Sequence, residues 1–383
     1  MVLHLLRALY GLPRSPRLWF DHLTSVFVKL GLRQTSETPC VFTSDKLIVF
    51  FFVDDICVIY HPSNRQAYEA FRTGLLTEYN LHELGDIKWF LGIRIIRDRH
   101  QRKLWLSQDT FAEAAAHKFK RRTTNRKSPK IPMPTDGLSP WTGQASAADI
   151  GLYQSKCGTI TYAACMTRAD LAYASQELSR HHNNPSPEHM AAADQALDYF
   201  DDHRFYALEM GGDIDDGIPA LSSASDASYA DDRITRKSSM GWLFILFNGL
   251  IDWSATLQKT VTTSTTEAEL LALSHITAWL LWWIRFFHEI DLDLDQDFVV
   301  LCDNLQTVRL INTEAPKLIT KLKHIDVHHH WLRQEASAGK FKVEWVKSAD
   351  MPADGLTKAL PAQQFQAFLR QINMVDIQAL IAP

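Results

Sequence analysis

Little in this sequence asks for a covalent staple or a lipid bilayer. Five cysteines, Cys40, Cys57, Cys157, Cys165 and Cys302, are scattered through 383 residues, and none sits in a Cys-x-x-Cys pair. An odd, dispersed set argues against a disulfide framework and for reduced thiols in an intracellular compartment. Long uninterrupted apolar runs are missing as well. The longest, residues 47–60, is broken in its middle by Asp54 and Asp55. A membrane span would not carry two adjacent carboxylates at its centre without partners. The apolar start MVLHLLRALYGLP is short, lacks a small-residue cleavage site and runs into a Gly-Leu-Pro breaker, so it does not read as a signal peptide. No membrane partner is expected. Strong net charge is also lacking: a balance of −4 does not advertise nucleic-acid binding by itself.

What is present is ordinary globular material, 46% hydrophobic and 22% charged, in a length suited to two or three domains with a sizeable core. Charge is instead concentrated locally. Residues 117–130 carry Lys118, Lys120, Arg121, Arg122, Arg126, Lys127 and Lys130. Such a block either neutralises phosphates or is a solvated linker. The stretch PKIPMPTDGLSPWTGQ that follows cannot be a long helix or a central strand. Residues 150–210 show helical spacing of apolar side chains, closed by the acidic GGDIDDG at 211–217. Beyond 218, three strand-like runs precede a long helical stretch, 265–290, with Ser264, Thr265 or Thr266 as its N-cap. A strand FVVLCDN, further helix at 304–312 and 324–338, the strand FKVEWV and a helix opened by Met351-Pro352 follow. This order predicts a mixed sheet flanked by helices.

Two constellations carry chemistry. In KLIVFFFVDDICVIY, two β-branched and aromatic runs, 47–52 and 56–60, flank a turn holding Asp54 and Asp55. Adjacent carboxylates repel unless a cation neutralises them, and a hard divalent ion is the natural partner. An exposed acidic hairpin tip is the plainer reading, although the apolar flanks would set the tip in a cleft. The second set is Asp226 in a strand-like run, Glu269 in the first turns of the long helix, Asp303 at the end of VVLCDN, and Asp354 at a helix start. Strand ends and helix starts can converge at one sheet edge. Among 44 acidic residues, four unrelated surface acids remain the alternative. Two further signals are weaker. His324 and His328 to His330 have a metal-ligand spacing without a nearby third ligand, and Trp279, Trp282, Trp283, Phe286 and Phe287 form an aromatic stripe that reads as a core or interdomain face.

These segments resemble the reverse transcriptase and ribonuclease H region of copia-type retrotransposon polyproteins. FVDDI is similar to the Tyr-x-Asp-Asp motif of reverse transcriptases, with Phe52 at the aromatic position. ALYGLPRSPRLWF, LGDIKWFLGIRI and LWLSQDTF resemble that family's segments in order. GLYQSKCGTITYAACMTRADLAYASQELSR resembles its connection segment, with Ala169 where the family has Pro. SDASYADDRITRKSSMGWLF, STTEAELLAL, CDNLQTV, KHIDVHHHWLRQ and ADMPADGLTKAL resemble its ribonuclease H motifs.

The resemblance implies an α/β and α+β multidomain chain. Residues 1–117 would be a partial reverse transcriptase with palm and thumb-like parts, 118–150 a basic, Pro-rich linker and 151–217 a helical connection. Residues 218–362 would form a ribonuclease H-like mixed sheet flanked by helices, and 363–383 a C-terminal tail. It implies a catalytic, metal-holding set of Asp54 and Asp55 for polymerisation and of Asp226, Glu269, Asp303 and Asp354 for ribonuclease H, with Glu267 as the competitor of Glu269. Gly11, Leu12 and Pro13 would shape the nucleotide pocket; Phe90, Leu91 and Gly92 would form a primer grip. Mg2+ (or Mn2+) would be the cofactor, and an RNA–DNA hybrid and template–primer nucleic acid the partners. The family's third polymerase aspartate lies upstream of its LYGL segment, where this sequence begins, so polymerisation would require a separate N-terminal half or self-association. The expected compartment is intracellular, in cytoplasmic virus-like particles, the nucleus or both. A catalytically silent remnant, or a domesticated protein that only binds nucleic acid or a partner, is the alternative reading.

Overall fold

The structure, a computed structural model, describes residues 9, 11–121, 127–213, 218–312 and 323–381. In chain order the helices are α1 (Ser15–Lys29), α2 (Arg65–Glu78), α3 (Asp109–Lys118), α4 (Ala147–Met166), α5 (Ala172–Ser179), α6 (Pro187–Asp202), α7 (Thr265–Glu289), α8 (Leu305–Asn312), α9 (Lys323–Ser337), α10 (Asp354–Thr357) and α11 (Ala362–Gln371). The strands are β1 (Arg33–Gln34), β2 (Val41–Thr43), β3 (Leu47–Phe52), β4 (Asp55–Tyr60), β5 (Trp89–Phe90), β6 (Ile93–Asp98), β7 (Lys103–Ser107), β8 (Tyr206–Gly211), β9 (Leu221–Ser228), β10 (Ser239–Leu246), β11 (Gly249–Leu257), β12 (Val299–Cys302), β13 (Lys342–Trp345) and β14 (Met374–Asp376). The chain is mixed α/β and forms two compact units, residues 1–87 with 279–294, and residues 88–278 with 295–383. Helix α7 therefore contributes to both. The resemblance implied a finer division, with breaks at 117, 150, 217 and 362.

In the first unit, β1 to β4 form an antiparallel sheet in sequence order. Strand β3 alternates as period 2 demands: Leu47, Val49 and Phe51 are buried. They meet Leu23, Val26 and Phe27 of α1, three positions at helical spacing, and Phe71 and Leu75 of α2. Phe27 and Phe42 pack edge to face with centroids 5.0 Å apart. At the end of α7, Glu289 accepts the backbone N–H groups of Ser36 and Glu37 at 2.8 and 3.1 Å, and Arg285 pairs with Glu37. The aromatic stripe lies on this stretch. Its rings stack on one another, Trp282 on Phe286 and Trp283 on Phe287; Phe287 is buried and Trp279 is exposed.

The second unit holds two sheets. One is mixed, with order β11-β10-β9-β12-β13; the first three strands are antiparallel, and β12 runs parallel to both β9 and β13. This is the mixed sheet that the sequence order implied. The first half of α7 is buried through Ala268, Leu270, Ala272, Leu273 and Ile276. By length and composition α7 could cross a membrane, but half of its most apolar window is buried inside the protein. Gly241 of β10 is required by close approach: a Cβ there would lie 2.6 Å from that of Leu356 in α10. The other sheet is antiparallel, in the order β14-β8-β7-β6-β5. It joins segments far apart in sequence. Residues 363–383, expected to be a tail, supply β14 and the buried Phe365, Phe368 and Leu369.

Between the sheets' connecting helices lies Arg168, fully buried. Its guanidinium donates two hydrogen bonds to Asp170, at 2.9 and 2.7 Å, and a third to the carbonyl of His203. Tyr199 of α6 donates to the same carboxylate at 2.8 Å. Of the basic segment, Arg121 is held by Asp198 through two bonds of 2.6 and 2.8 Å, so this charge serves packing; Arg122 and Arg126 lie outside the described residues. Removing one member of a buried pair strands the other charge, at a cost of about 3–5 kcal/mol. Arg168→Met is therefore expected to lower the unfolding free energy by that amount in urea titrations. A loss under about 1 kcal/mol would show that the pair does not hold the connecting helices.

Candidate active site

Strand register sets the centre of the site. Parallel pairing of β12 with β9 aligns Leu301 with Ala224. Continued by two residues, it brings Asp303 level with Asp226. Asp354 enters from the start of α10, which packs on β9 and β10. Carboxylate oxygens of Asp226, Asp303 and Asp354 all lie within 4.8 Å of one another, and no other acid, His or Cys group converges this way among the described residues. Asp226 is 3% exposed; Asp303 and Asp354 are half-buried.

The choice between Glu267 and Glu269 follows from the start of α7. Two residues along a helix turn the side chain by about 200°. The Ser264 hydroxyl accepts the N–H of Glu267 at 3.2 Å, which makes Ser264 the N-cap. Glu267 turns back to accept the N–H and hydroxyl of Thr263, both at 2.7 Å. Its carboxylate is part of the cap. Glu269, 5% exposed, accepts the N–H of Ala227 at 3.3 Å and lies beside Cys302. Its carboxylate is close enough to Asp226 and Asp303 to feel their charge, but it stands outside the group of three acids that converge.

Supporting residues surround the acids. The Thr357 hydroxyl donates to Asp226, Ser348 donates to Asp303 at 2.7 Å, and the Trp345 ring N–H donates to the Asp303 carbonyl at 3.0 Å. Asn304 caps α8 by accepting the N–H of Thr307 at 3.0 Å, which fixes the turn that follows Asp303. Lys358 Nζ lies 2.8 Å from Asp354 and 3.8 Å from Asp226. Thr357, Lys358 and Ser348 are not among the residues that the motifs single out. A signal was present for two of them: positions three and four after Asp354 return to its face on a helical turn.

Burial and repulsion show in the titration of these groups. Burial pushes the Asp226 carboxyl up to about 6, with the charges of Asp354 and Asp303 adding to the shift and Lys358 opposing it. Glu269 is raised by burial and then by Asp226 and Asp303; Asp354 is raised by burial. The Cys302 thiol is raised by burial and by Glu269. Buried carboxylates short of positive charge, all offering oxygen, suit a hard divalent cation.

The polymerase-type residues are placed differently. Phe52 pairs with Asp55, leaving Val53 and Asp54 as a two-residue turn. Val53 has φ 56°, a left-handed conformation that a β-branched residue rarely adopts. Trp19 of α1 donates its ring N–H to the Val53 carbonyl at 2.6 Å and so holds the turn. Contrary to the expected cleft, Phe52, Val53, Asp54 and Asp55 are all exposed in this unit. Gly11, Leu12 and Pro13 are exposed just before α1, with Gly11 at φ 89°. In the other unit, Phe90, Leu91 and Gly92 make the tight turn from β5 to β6, with φ 50° and 79° at Leu91 and Gly92, and Tyr162 donates to the Leu91 carbonyl. Of the histidines, His328 bonds Ser274 at 2.6 Å, His329 is buried and reaches the Leu310 carbonyl, and His330 lies 3.6 Å from Asp326; the side chain of His324 lies outside the described residues.

A family model described as reverse transcriptase (RNA-dependent DNA polymerase) matches residues 1–135. The Retrovirus-related Pol polyprotein from transposon TNT 1-94 of Nicotiana tabacum is 31% identical across 98% of this chain and 28% of its own length. This chain is a homologue of the Pol polyproteins of copia-type transposons. The corresponding polyprotein from transposon RE2 of Arabidopsis thaliana is 27% identical, again over 98% of this chain and 25% of its own length. The chain thus spans about a quarter of the curated relatives it matches. Among solved structures, RNase H1 from the halophilic archaeon Halobacterium salinarum aligns with 36% of this chain and 92% of its own, at 16% identity and a TM-score of 0.26, a likeness too slight to argue from.

The raised Asp226 makes a stability prediction. In the unfolded chain an Asp ionises near 3.9, whereas in the fold it does so at about 6. The folded state therefore holds its proton longer, and stability falls as pH rises from about 4 to about 6. Asp226→Asn removes this term. Without metal at pH 7, the variant is expected to be more stable by roughly 3 kcal/mol, with the difference gone near pH 4. Urea unfolding at both pH values checks it; a less stable variant at pH 7 would contradict the electrostatic account.

Proposed function

We propose that the acidic centre is a ribonuclease H site that cuts the RNA strand of an RNA–DNA hybrid, within a Pol region whose N-terminal part is related to reverse transcriptases. The observation that carries the reading is the convergence of Asp226, Asp303 and Asp354, with buried Glu269 turned to the same centre. These four would hold divalent ions, and their all-oxygen donor set suits Mg2+ or Mn2+. Ions held there would supply an activated water and would neutralise charge developing on the scissile phosphate. The chain's own groups hold the ligands in place: Thr357 orients Asp226, Ser348 orients Asp303, and the Ala227 N–H orients Glu269. Discrimination for RNA would rest on contacts to 2′-hydroxyls and on hybrid shape rather than on base edges.

In the first unit the family resemblance favours a polymerase-type role for Asp54 and Asp55 as metal ligands and for Gly11, Leu12 and Pro13 beside the nucleotide; separately, in the second unit, it favours a primer-grip role for Phe90, Leu91 and Gly92. The strained Val53 supports this, since backbone strain held by a specific bond gathers at functional turns. Asp54 and Asp55 have no third converging ligand among the described residues.

Purified protein is expected to cleave the RNA of a hybrid with Mg2+ and not with Ca2+, whose larger, looser shell does not keep octahedral in-line geometry. Asp303→Asn is expected to abolish cleavage with an unchanged circular dichroism spectrum. Undiminished cleavage by this variant would remove Asp303 from the mechanism. For the polymerase-type residues the expected result is negative: no primer extension by this chain alone on a homopolymer template. Incorporation that disappears in Asp55→Asn would refute that expectation.

A further inference from the structure

Lys358 sits where the acidic centre meets a second polar space. Its ammonium is 2.8 Å from Asp354 and 3.8 Å from Asp226. The same side chain lines a cavity of about 220 Å3 walled by Asp136, Glu177, Asp231, Asp232, Arg180 and Arg233. Lys358 aside, four carboxylates face two guanidiniums there, a formal balance of −2. His181, on the same wall, adds no charge at neutral pH because burial beside His189 pushes its imidazole down to about 4. A lysine on a flexible four-carbon stem thus has two acidic places within reach of its rotamers.

We propose that Lys358 is a tethered counter-ion of the acidic centre: it neutralises the carboxylates when no divalent ion is bound, competes with that ion for the site, and turns into the neighbouring acidic cavity when the ion enters. The inference rests on reading the centre as a divalent-ion site. Three carboxylates within 4.8 Å, with buried Glu269 beside them, require positive charge, and Lys358 is the cation placed among them. Tethering gives its ammonium a high local concentration that a free monovalent ion lacks. A divalent ion brings twice the charge and takes several oxygens at once, so it displaces the ammonium at sufficient concentration. Lys358 is a positioning residue in this scheme, and it sets the metal concentration at which the site fills.

The test is a Mg2+ titration of melting temperature on the full chain, starting from chelator-treated protein, for the wild type, Lys358→Met, Lys358→Arg and Asp303→Asn. Stabilisation grows as metal exceeds its dissociation constant. Lys358→Met is expected to melt lower without metal and to reach half-maximal stabilisation at a roughly tenfold lower Mg2+ concentration, because a competing unit charge has gone. Lys358→Arg keeps the charge and is expected to stay near the wild type. A purely structural lysine would lower melting at every Mg2+ concentration and leave the half-saturation point unmoved, and that result overturns the proposal. If Lys358→Met does not fold in chelator, folding on addition of Mg2+ supports the proposal, and failure at all concentrations overturns it. The underlying site fails separately: a wild-type shift that is absent, or that survives in Asp303→Asn, removes the divalent-ion reading itself.

Discussion

Mutual repulsion of carboxylates gathered around the buried Asp226 is the constraint around which the second unit is organised. Four acids come from a strand, a strand end, a long helix and a one-turn helix, and each arrives with its own fixed support. Asp226 lies in the middle of the mixed sheet, Asp303 is set by parallel register and by the Asn304 cap, Glu269 by the first turns of α7, and Asp354 by α10 pressed on Gly241. The fold therefore holds like charges together at a cost in stability, which the Lys358 ammonium beside Asp226 and Asp354 offsets in part.

The strands and the long helix were readable from alternation and helical spacing because a half-buried sheet and an apolar helix leave a periodic trace. The acids were readable because their neighbours form ordered motifs. The Glu267–Glu269 ambiguity was not readable from spacing, since both lie in the first turns of one helix. It took the cap geometry at Ser264 and Thr263 to separate a carboxylate that closes a helix end from one that faces the sheet. Thr357 and Lys358 were missed for another reason: a one-turn helix leaves no periodic pattern, so their return to the face of Asp354 has no sequence signature beyond the spacing itself.

Apolar flanks misled the reading of the Asp54–Asp55 turn. Strand β3 buries Leu47, Val49 and Phe51, but the apolarity of Phe52 and Val53 does not continue that burial; both side chains face solvent in the first unit. Alternation along a strand reports which face is inside and says nothing about its tip. The left-handed Val53 was equally invisible, because a β-branched residue gives no warning of positive φ. In the same way, charge patterning in residues 117–130 could not tell a phosphate-binding lysine from Arg121, which is committed to Asp198.

The antiparallel sheet has an implication for synthesis. Strand β8 sits between β7, about a hundred residues earlier, and β14, more than a hundred and sixty later. As the chain leaves the ribosome, β7 and β8 can zip together early, but one rim of β8 stays bare until residue 376 has emerged. For that interval the nascent protein presents an unpaired row of N–H and carbonyl groups next to apolar Leu208, a surface prone to pairing with the wrong chain. Completion of this sheet is therefore a late, long-range event, separated from the pairing of β7 with β8 by the whole stretch of chain between β8 and β14.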